Sequence, residues 1–191
     1  MLFRSLRRAA LAQALLSVAF SGFWSTLALA IAAPPFRLGS TAAGLFGLAG
    51  AAGALAAPLA GAIADKRGPA TVIRAGAVLV IASFGSMALW PGSLGVLIAG
   101  TVAFDLGVQA CLISHQTIVY SLDPAARSRL NAVLMSSMFL GMSTGAALAS
   151  QALVRYGWSG VMTLGASAAT LALVVRSVPE RAASRAVPEA V

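Results

Sequence analysis

Gly61-Ala62-Ile63-Ala64-Asp65-Lys66-Arg67-Gly68-Pro69, with Thr71 to Arg74 just beyond it, packs three charges into one short turn, and a long apolar run lies on each side. Only 9% of the 191 residues are charged, so this knot is the strongest punctuation in the sequence. Outward from it the same pattern recurs. Greasy segments alternate with short stretches that hold the charges and the chain breakers.

Hydrophobic residues make up 59% of the chain, and its mean hydropathy is +0.90. Soluble domains run closer to half apolar and about a quarter charged. Five acidic and thirteen basic side chains cannot furnish the polar shell of a soluble core, so the natural solvent is lipid. A formal charge of +8 would elsewhere suggest nucleic acid. Here the basic residues are scattered between apolar runs and aromatic residues are sparse, so no nucleic-acid partner is expected. Cys111 stands alone inside an apolar run, which excludes a disulfide framework and a cysteine metal site. No Walker sequence, haem motif or metal cluster is visible, and the expectation is a protein without cofactor or metal.

Six apolar stretches emerge, at about residues 9–33, 41–64, 72–89, 94–120, 130–154 and 158–175. Each is near the roughly 20 residues that cross a bilayer as a helix. The connectors carry Pro34-Pro35, Gly68-Pro69, Trp90-Pro91-Gly92-Ser93, Asp123-Pro124 and the turn Arg155-Tyr156-Gly157. The chain therefore divides into a basic cytoplasmic segment at 1–8, a six-helix transmembrane domain at 9–176 and a disordered cytoplasmic tail at 177–191. Arg4, Arg7 and Arg8 before an apolar run, with Ala28-Leu29-Ala30 near its end, imitate a secretory signal. The run is about twice the 7–15 residues of such a segment and five more spans follow, so it reads as a first membrane helix.

The basic residues orient the spans. With alternating crossings, one side carries Arg4, Arg7, Arg8, Lys66, Arg67, Arg74, Arg127, Arg129, Arg176, Arg181 and Arg185, and the other only Arg37 and Arg155. Lys and Arg near span ends resist translocation, so the richer side, with both termini, is cytoplasmic. Gly44, Gly47, Gly50, Gly53, Ala57 and Gly61 in the second span, and Gly141 and Gly145 in the fifth with Ser137 a turn earlier, read mainly as helix-packing positions. Small residues let backbones approach closely in lipid, where van der Waals contact is the glue.

The fourth span is the odd one. At about 100° per residue, Thr101, Asp105, Gln109, Leu112 and Gln116 fall within about 40° of one direction. Asp105 lies about 17 Å along the helix from Leu94, near mid-membrane. A mid-span Asp costs roughly 2.5–3.5 kcal/mol on insertion, so that face should look onto a water-filled cavity or a polar partner. His115 sits about 80° off that face and reads as a packing or interfacial residue. In the first span, Gln13, Ser17, Phe20 and Trp24 form a milder polar and aromatic stripe. Gly141-Met142-Ser143-Thr144-Gly145 matches the nucleophile-elbow pattern, but that motif needs a strand-to-helix turn, and here it lies inside a helical run. The chain does not read as an enzyme.

Gly61-x-x-x-Asp65-Lys66-Arg67-Gly68 resembles the signature loop of the major facilitator superfamily, G-x-x-x-D-[RK]-x-G-[RK]-[RK], which joins the second and third helices of each six-helix half. The order of spans fits, as does Ser128-Arg129-Leu130-Asn131-Ala132 running into the Gly-rich fifth span. The basic pair expected after Gly68 is replaced by Pro69 and Ala70, with Arg74 the nearest substitute, which suits the degenerate loop of a second half. The resemblance covers about residues 5–176 and has the flavour of bacterial proton-coupled drug or sugar efflux permeases.

It implies an all-α integral membrane fold, a six-transmembrane-helix bundle that is one half of a transporter in the bacterial inner membrane. Such a half moves a small molecule by alternating access together with a second six-helix half, here a homodimer mate or a separate subunit. The alternative is a truncated or non-transporting six-helix protein that assembles with another subunit. By resemblance, Gly61, Asp65, Lys66, Arg67, Gly68 and Arg74 form a cytoplasmic gate latch. The first and fourth helices line the cavity, with Asp105 as the proton-coupling carboxylate and Gln109, Gln116, Gln13 and Trp24 as cavity contacts.

Overall fold

The chain turns where its breakers stand. The computed structural model of the protein describes residues 2–55 and 57–178. These form α1 (Leu2–Ala32), α2 (Ser40–Leu55), α3 (Ala57–Arg67), α4 (Pro69–Leu89), α5 (Leu94–Leu122) and α6 (Arg127–Ser177), with a 3₁₀ turn at Pro124–Ala126. Among the described residues, α1, α4, α5 and α6 are each long and apolar enough to cross a membrane.

The charged knot is the clearest case of sequence dictating a turn. Lys66 and Arg67 occupy the last turn of α3, where cations complement the exposed carbonyls of a helix end. Gly68 then takes φ 82° and ψ 144°, a left-handed conformation that a residue with a Cβ resists. Pro69 follows as the first residue of α4, where its missing N–H costs nothing. Ser93 caps α5 by accepting a hydrogen bond from Val96 N at 3.3 Å. Asp123 Oδ1 accepts one from Ala125 N at 2.9 Å and starts the turn that leads into α6.

Three boundaries differ from those read in the sequence. The stretch at 41–64 is α2 and α3 on either side of Ala56, which lies outside the described residues, as does the tail at 179–191. The basic segment at 1–8 is not separate from the first helix, because α1 already begins at Leu2. Leu, Arg and Ala are strong helix formers, and a helix need not stop where its apolar run does. The expected turn Arg155-Tyr156-Gly157 contracts to one residue. α6 runs 51 residues with non-helical angles only at Gly157, φ 65° and ψ −159°, a second left-handed position that suits glycine. It therefore has two limbs, and they touch: a Cβ on Gly160 would sit 2.9 Å from the Ala152 carbonyl oxygen.

Packing is centred on an aromatic knot. Phe23 of α1, Phe84 of α4 and Phe104 of α5 are all fully buried. The Phe23 and Phe104 centroids lie 4.6 Å apart, Phe84 and Phe104 5.3 Å, and Trp158 of α6 meets Phe23 at 5.6 Å. Four helices thus converge through tilted rings, the arrangement that aromatic quadrupoles favour. Around the knot, backbones nearly touch. A Cβ at Gly141 or Gly145 of α6 would run into the carbonyl oxygens of Ala14 or Val18 of α1, and one at Gly107 would lie 2.7 Å from the Gly76 carbonyl oxygen. The α2 side differs from the reading of its glycines as packing positions. Gly44, Gly47 and Gly61 face open space within this chain, and among the described glycines of this stretch Gly50 alone makes a close approach. Side chains at Gly53 and Ala57 lie outside the described residues.

The ends of the described chain are tied together. Arg8 donates to the Val175 carbonyl from Nη2 at 2.7 Å and from Nε at 3.1 Å, and Nη2 also donates to the Val178 carbonyl. The guanidinium therefore caps carbonyls that the end of α6 would leave without intrahelical partners. Arg8→Ala should lower stability by about 1.5 kcal/mol, the low end for hydrogen bonds to a charged donor. Arg8→Lys should recover only part of it, lacking the planar fork. Thermal unfolding of the detergent-solubilised variants measures both. A melting temperature unchanged by Arg8→Ala would show that water replaces the clamp without loss.

Candidate functional site

Asp105 projects from the middle of α5 toward α1 and is 3% exposed. Trp24 of α1 reaches across and donates from Nε1 to Asp105 Oδ1 at 3.3 Å. The third wall is α2. A Cβ on Gly50 would lie 2.5 Å from Asp105 Oδ2 and 2.6 Å from the Trp24 ring, so only a glycine lets α2 rest against this pair. Residues from three helices, distant in sequence, therefore meet at one carboxyl group.

The rings of the knot extend to this group. Trp24 lies 6.4 Å from Phe20, 5.6 Å from Phe23 and 6.4 Å from Phe104, centroid to centroid. Thr101, a turn before Asp105, is buried but returns its hydroxyl to the Leu97 carbonyl at 2.7 Å and is not a second donor. Trp24 is thus the hydrogen-bond donor that Asp105 finds among the described residues, and no cation among them acts on it. The carboxyl group is thus buried between α1 and α5, with α2 close against its Oδ2 side at Gly50.

The other expected contacts separate from this centre. Gln109 and Gln116 continue the Asp105 face of α5 and are half-buried. Gln13 does not line a cavity: it is 1% exposed, and its Oε1 lies 2.9 Å from Nδ1 of the fully buried His115. The amide oxygen can only accept, so Nδ1 carries the hydrogen and donates. Nothing in one sequence separates a glutamine that faces water from one that bonds a neighbouring helix, and the partner here is 102 residues away. His115 is accordingly a packing residue.

At the charged knot, Lys66 and Arg67 are exposed, and Arg74 is exposed and donates from Nε to the Ala70 carbonyl of its own helix at 3.3 Å. The Asp65 side chain lies outside the described residues. Ser143 is exposed on a continuous helix and returns its hydroxyl to the Phe139 carbonyl at 3.0 Å, the geometry of a helical serine rather than of a nucleophile elbow.

Residues 9–191 match the model of the Major Facilitator Superfamily. Over 172 residues the chain is 41% identical to uncharacterized transporter YgaY of Escherichia coli O157:H7, which covers 89% of this chain and 43% of that protein. YgaY of strain K12 matches to the same extent. Probable transporter SCO4007 of Streptomyces coelicolor is 32% identical over 155 residues, 81% of this chain and 36% of its own length. The chain therefore spans less than half the length of these relatives. No solved structure matches it significantly.

Proposed function

Because the chain belongs to the major facilitator superfamily, we propose that it forms one six-helix half of a secondary transporter that moves a small molecule by alternating access. The observation that carries this reading is a carboxyl group at mid-helix, held between α1 and α5 by one neutral donor. An ionisable group so placed in a membrane helix is costly, and such groups mark substrate and proton pathways. Asp105 is the residue that exchanges a proton for substrate, Trp24 positions it, and Gln109 and Gln116 contact solute along the same face. The direction is efflux from the cytoplasm, across a bacterial inner membrane.

The six crossings are α1, α2 with α3, α4, α5 and the two limbs of α6. The Arg8 clamp supports an even number, since it joins the start of α1 to the end of α6. The bias in basic residues supports a cytoplasmic position for that end. Asp65, Lys66 and Arg67 then form a cytoplasmic latch, closed against the second half. The open faces of Gly44 and Gly47 on α2, with exposed Leu45 and Leu48 beside them, suit such a neighbour. They equally favour a second reading, in which the chain assembles with another six-helix subunit and does not transport by itself.

Reconstitution separates the readings. The purified chain in proteoliposomes should self-associate into pairs and show solute flux that depends on a proton gradient. A monomer inert towards a broad compound panel would assign it to assembly with a separate half. Self-association without any flux would sink the transport reading for the chain alone.

A further inference from the structure

We propose that the groove between the start of α1 and the start of α6 binds an anionic phospholipid, its phosphate on Arg4 and Arg7 and one acyl chain laid along the apolar walls. The proposal does not depend on transport, and three observations carry it.

The first is the shape of the groove. A Cβ at Gly141 would meet the Ala14 carbonyl and one at Gly145 the Val18 carbonyl, so α1 and the first limb of α6 advance together and run parallel. Both start at the same end, and there a space of about 610 Å³ opens between them. Arg4, Arg7 and Leu11 line it from α1, and Val133, Ser137 and Leu140 from α6. It reaches Ala14, where the two backbones touch. From Arg4 to Ala14 a helix rises about 15 Å, half of the roughly 30 Å hydrocarbon thickness of a bilayer. A groove of that length matches an acyl chain in one leaflet.

The second is the place of the charge. Arg4 and Arg7 are exposed, and no acidic residue lines the groove. Both precede the apolar run of α1, which stands them at headgroup level when the helix crosses a membrane. Arg8 beside them is engaged with the carbonyls at the end of α6 and steadies this end of α1. Exposed Arg129, near the start of α6, adds to the positive field at the same end. Guanidinium groups pair with phosphate oxygens in a planar fork, and basic pockets between membrane helices take anionic headgroups.

The third is the character of the walls. Leu11, Val133 and Leu140 are exposed, and Ser137 returns its hydroxyl to the Val133 carbonyl at 2.9 Å. The walls therefore offer a soluble anion nothing beyond charge. A second copy docking by the same face would bring the same arginines, and like charges repel. Close helix contact in lipid also favours small residues, whereas this groove presents Leu and Val. A phospholipid suits both ends at once.

The test is native mass spectrometry of the delipidated full chain in neutral detergent. The chain is titrated with dioleoyl phosphatidylglycerol, or with dioleoyl phosphatidylcholine, which has the same tails and a phosphate but no net charge. One phosphatidylglycerol per chain should be retained about tenfold more tightly. The formal +8 attracts any anion, so variants must locate the site. Arg4→Gln with Arg7→Gln should remove the preference. Arg37→Gln with Arg155→Gln, an equal loss of charge at exposed arginines outside the groove, should keep it. Ser137→Trp fills the groove without changing its charge and should weaken phosphatidylglycerol by about tenfold. Dihexanoyl phosphatidylglycerol, with the same headgroup and tails too short for the groove, should also bind about tenfold weaker or worse. Equal retention of the two dioleoyl lipids, or equal losses in the two arginine pairs, overturns the proposal. If Ser137→Trp does not fold, the short-chain lipid decides, and retention as tight as that of the dioleoyl form refutes the acyl seat. Absence of lipid selectivity, with Ser137→Trp blocking association with a six-helix half, would overturn it in favour of a protein neighbour.

Discussion

Asp105→Asn is expected to abolish gradient-driven flux, by roughly two orders of magnitude, while leaving the bundle intact. Asparagine keeps the volume of the side chain and a carbonyl oxygen to accept from Trp24 Nε1, so the contact between α1 and α5 survives. What it removes is the proton. A carboxyl group can be neutral in one conformation and charged in another, and an amide cannot. Stability should change little or rise slightly, because a buried ionisable group is replaced by a neutral one. The measurement is paired: proton-driven accumulation in proteoliposomes, and downhill exchange of the same solute with no gradient. Loss of the first with retention of the second identifies Asp105 as the coupling residue. If both persist at wild-type rates, Asp105 is only the acceptor that fixes Trp24 in place.

The features legible in the sequence are those that depend on neighbours along the chain. Gly68-Pro69 encodes its own turn because φ and the missing N–H are properties of those two residues. Asp105 stands out since a carboxylate inside an apolar run is conspicuous wherever the run packs. The readings that shifted all depend on what sits across from a residue. Gln13 and Gln109 look alike in sequence, yet one is locked to His115 and the other is half-buried on the Asp105 face. Gly50 belongs to a run of glycines at similar spacing, and only the arrangement of three helices distinguishes it from Gly47. Arg8 reads as one of three topology-setting arginines, and its capping of α6 depends on a helix end some 167 residues away. Periodicity gives the face of a helix but not its neighbour.

That distinction makes the glycines the sharpest structural test. Gly145→Leu should destabilise the protein by about 3 kcal/mol or more, beyond ordinary overpacking, because the obstacle is backbone rather than a side chain that can turn aside. The first carbon of the new side chain already collides with the Val18 carbonyl of α1, and Gly141 meets Ala14 one turn away, so α1 and α6 would have to separate along their shared length. Gly47→Leu is the control. It adds the same atoms to a helix of similar composition, but into open space, and should change the melting temperature of the isolated chain by no more than a surface substitution does. Thermal unfolding in detergent reads both, and comparable losses would mean that α2 packs more tightly than its geometry indicates. The same pair of variants then bears on assembly. A face kept free of side chains has no use against fluid lipid tails, which accommodate leucine as readily as glycine, whereas a second helix approaches closely only if those positions stay small. Gly47→Leu should therefore spare the stability of the chain and reduce its association with another six-helix half, whereas Gly145→Leu should lose the fold before association can be measured. If Gly47→Leu leaves both stability and association untouched, α2 faces lipid, and the association runs through another face.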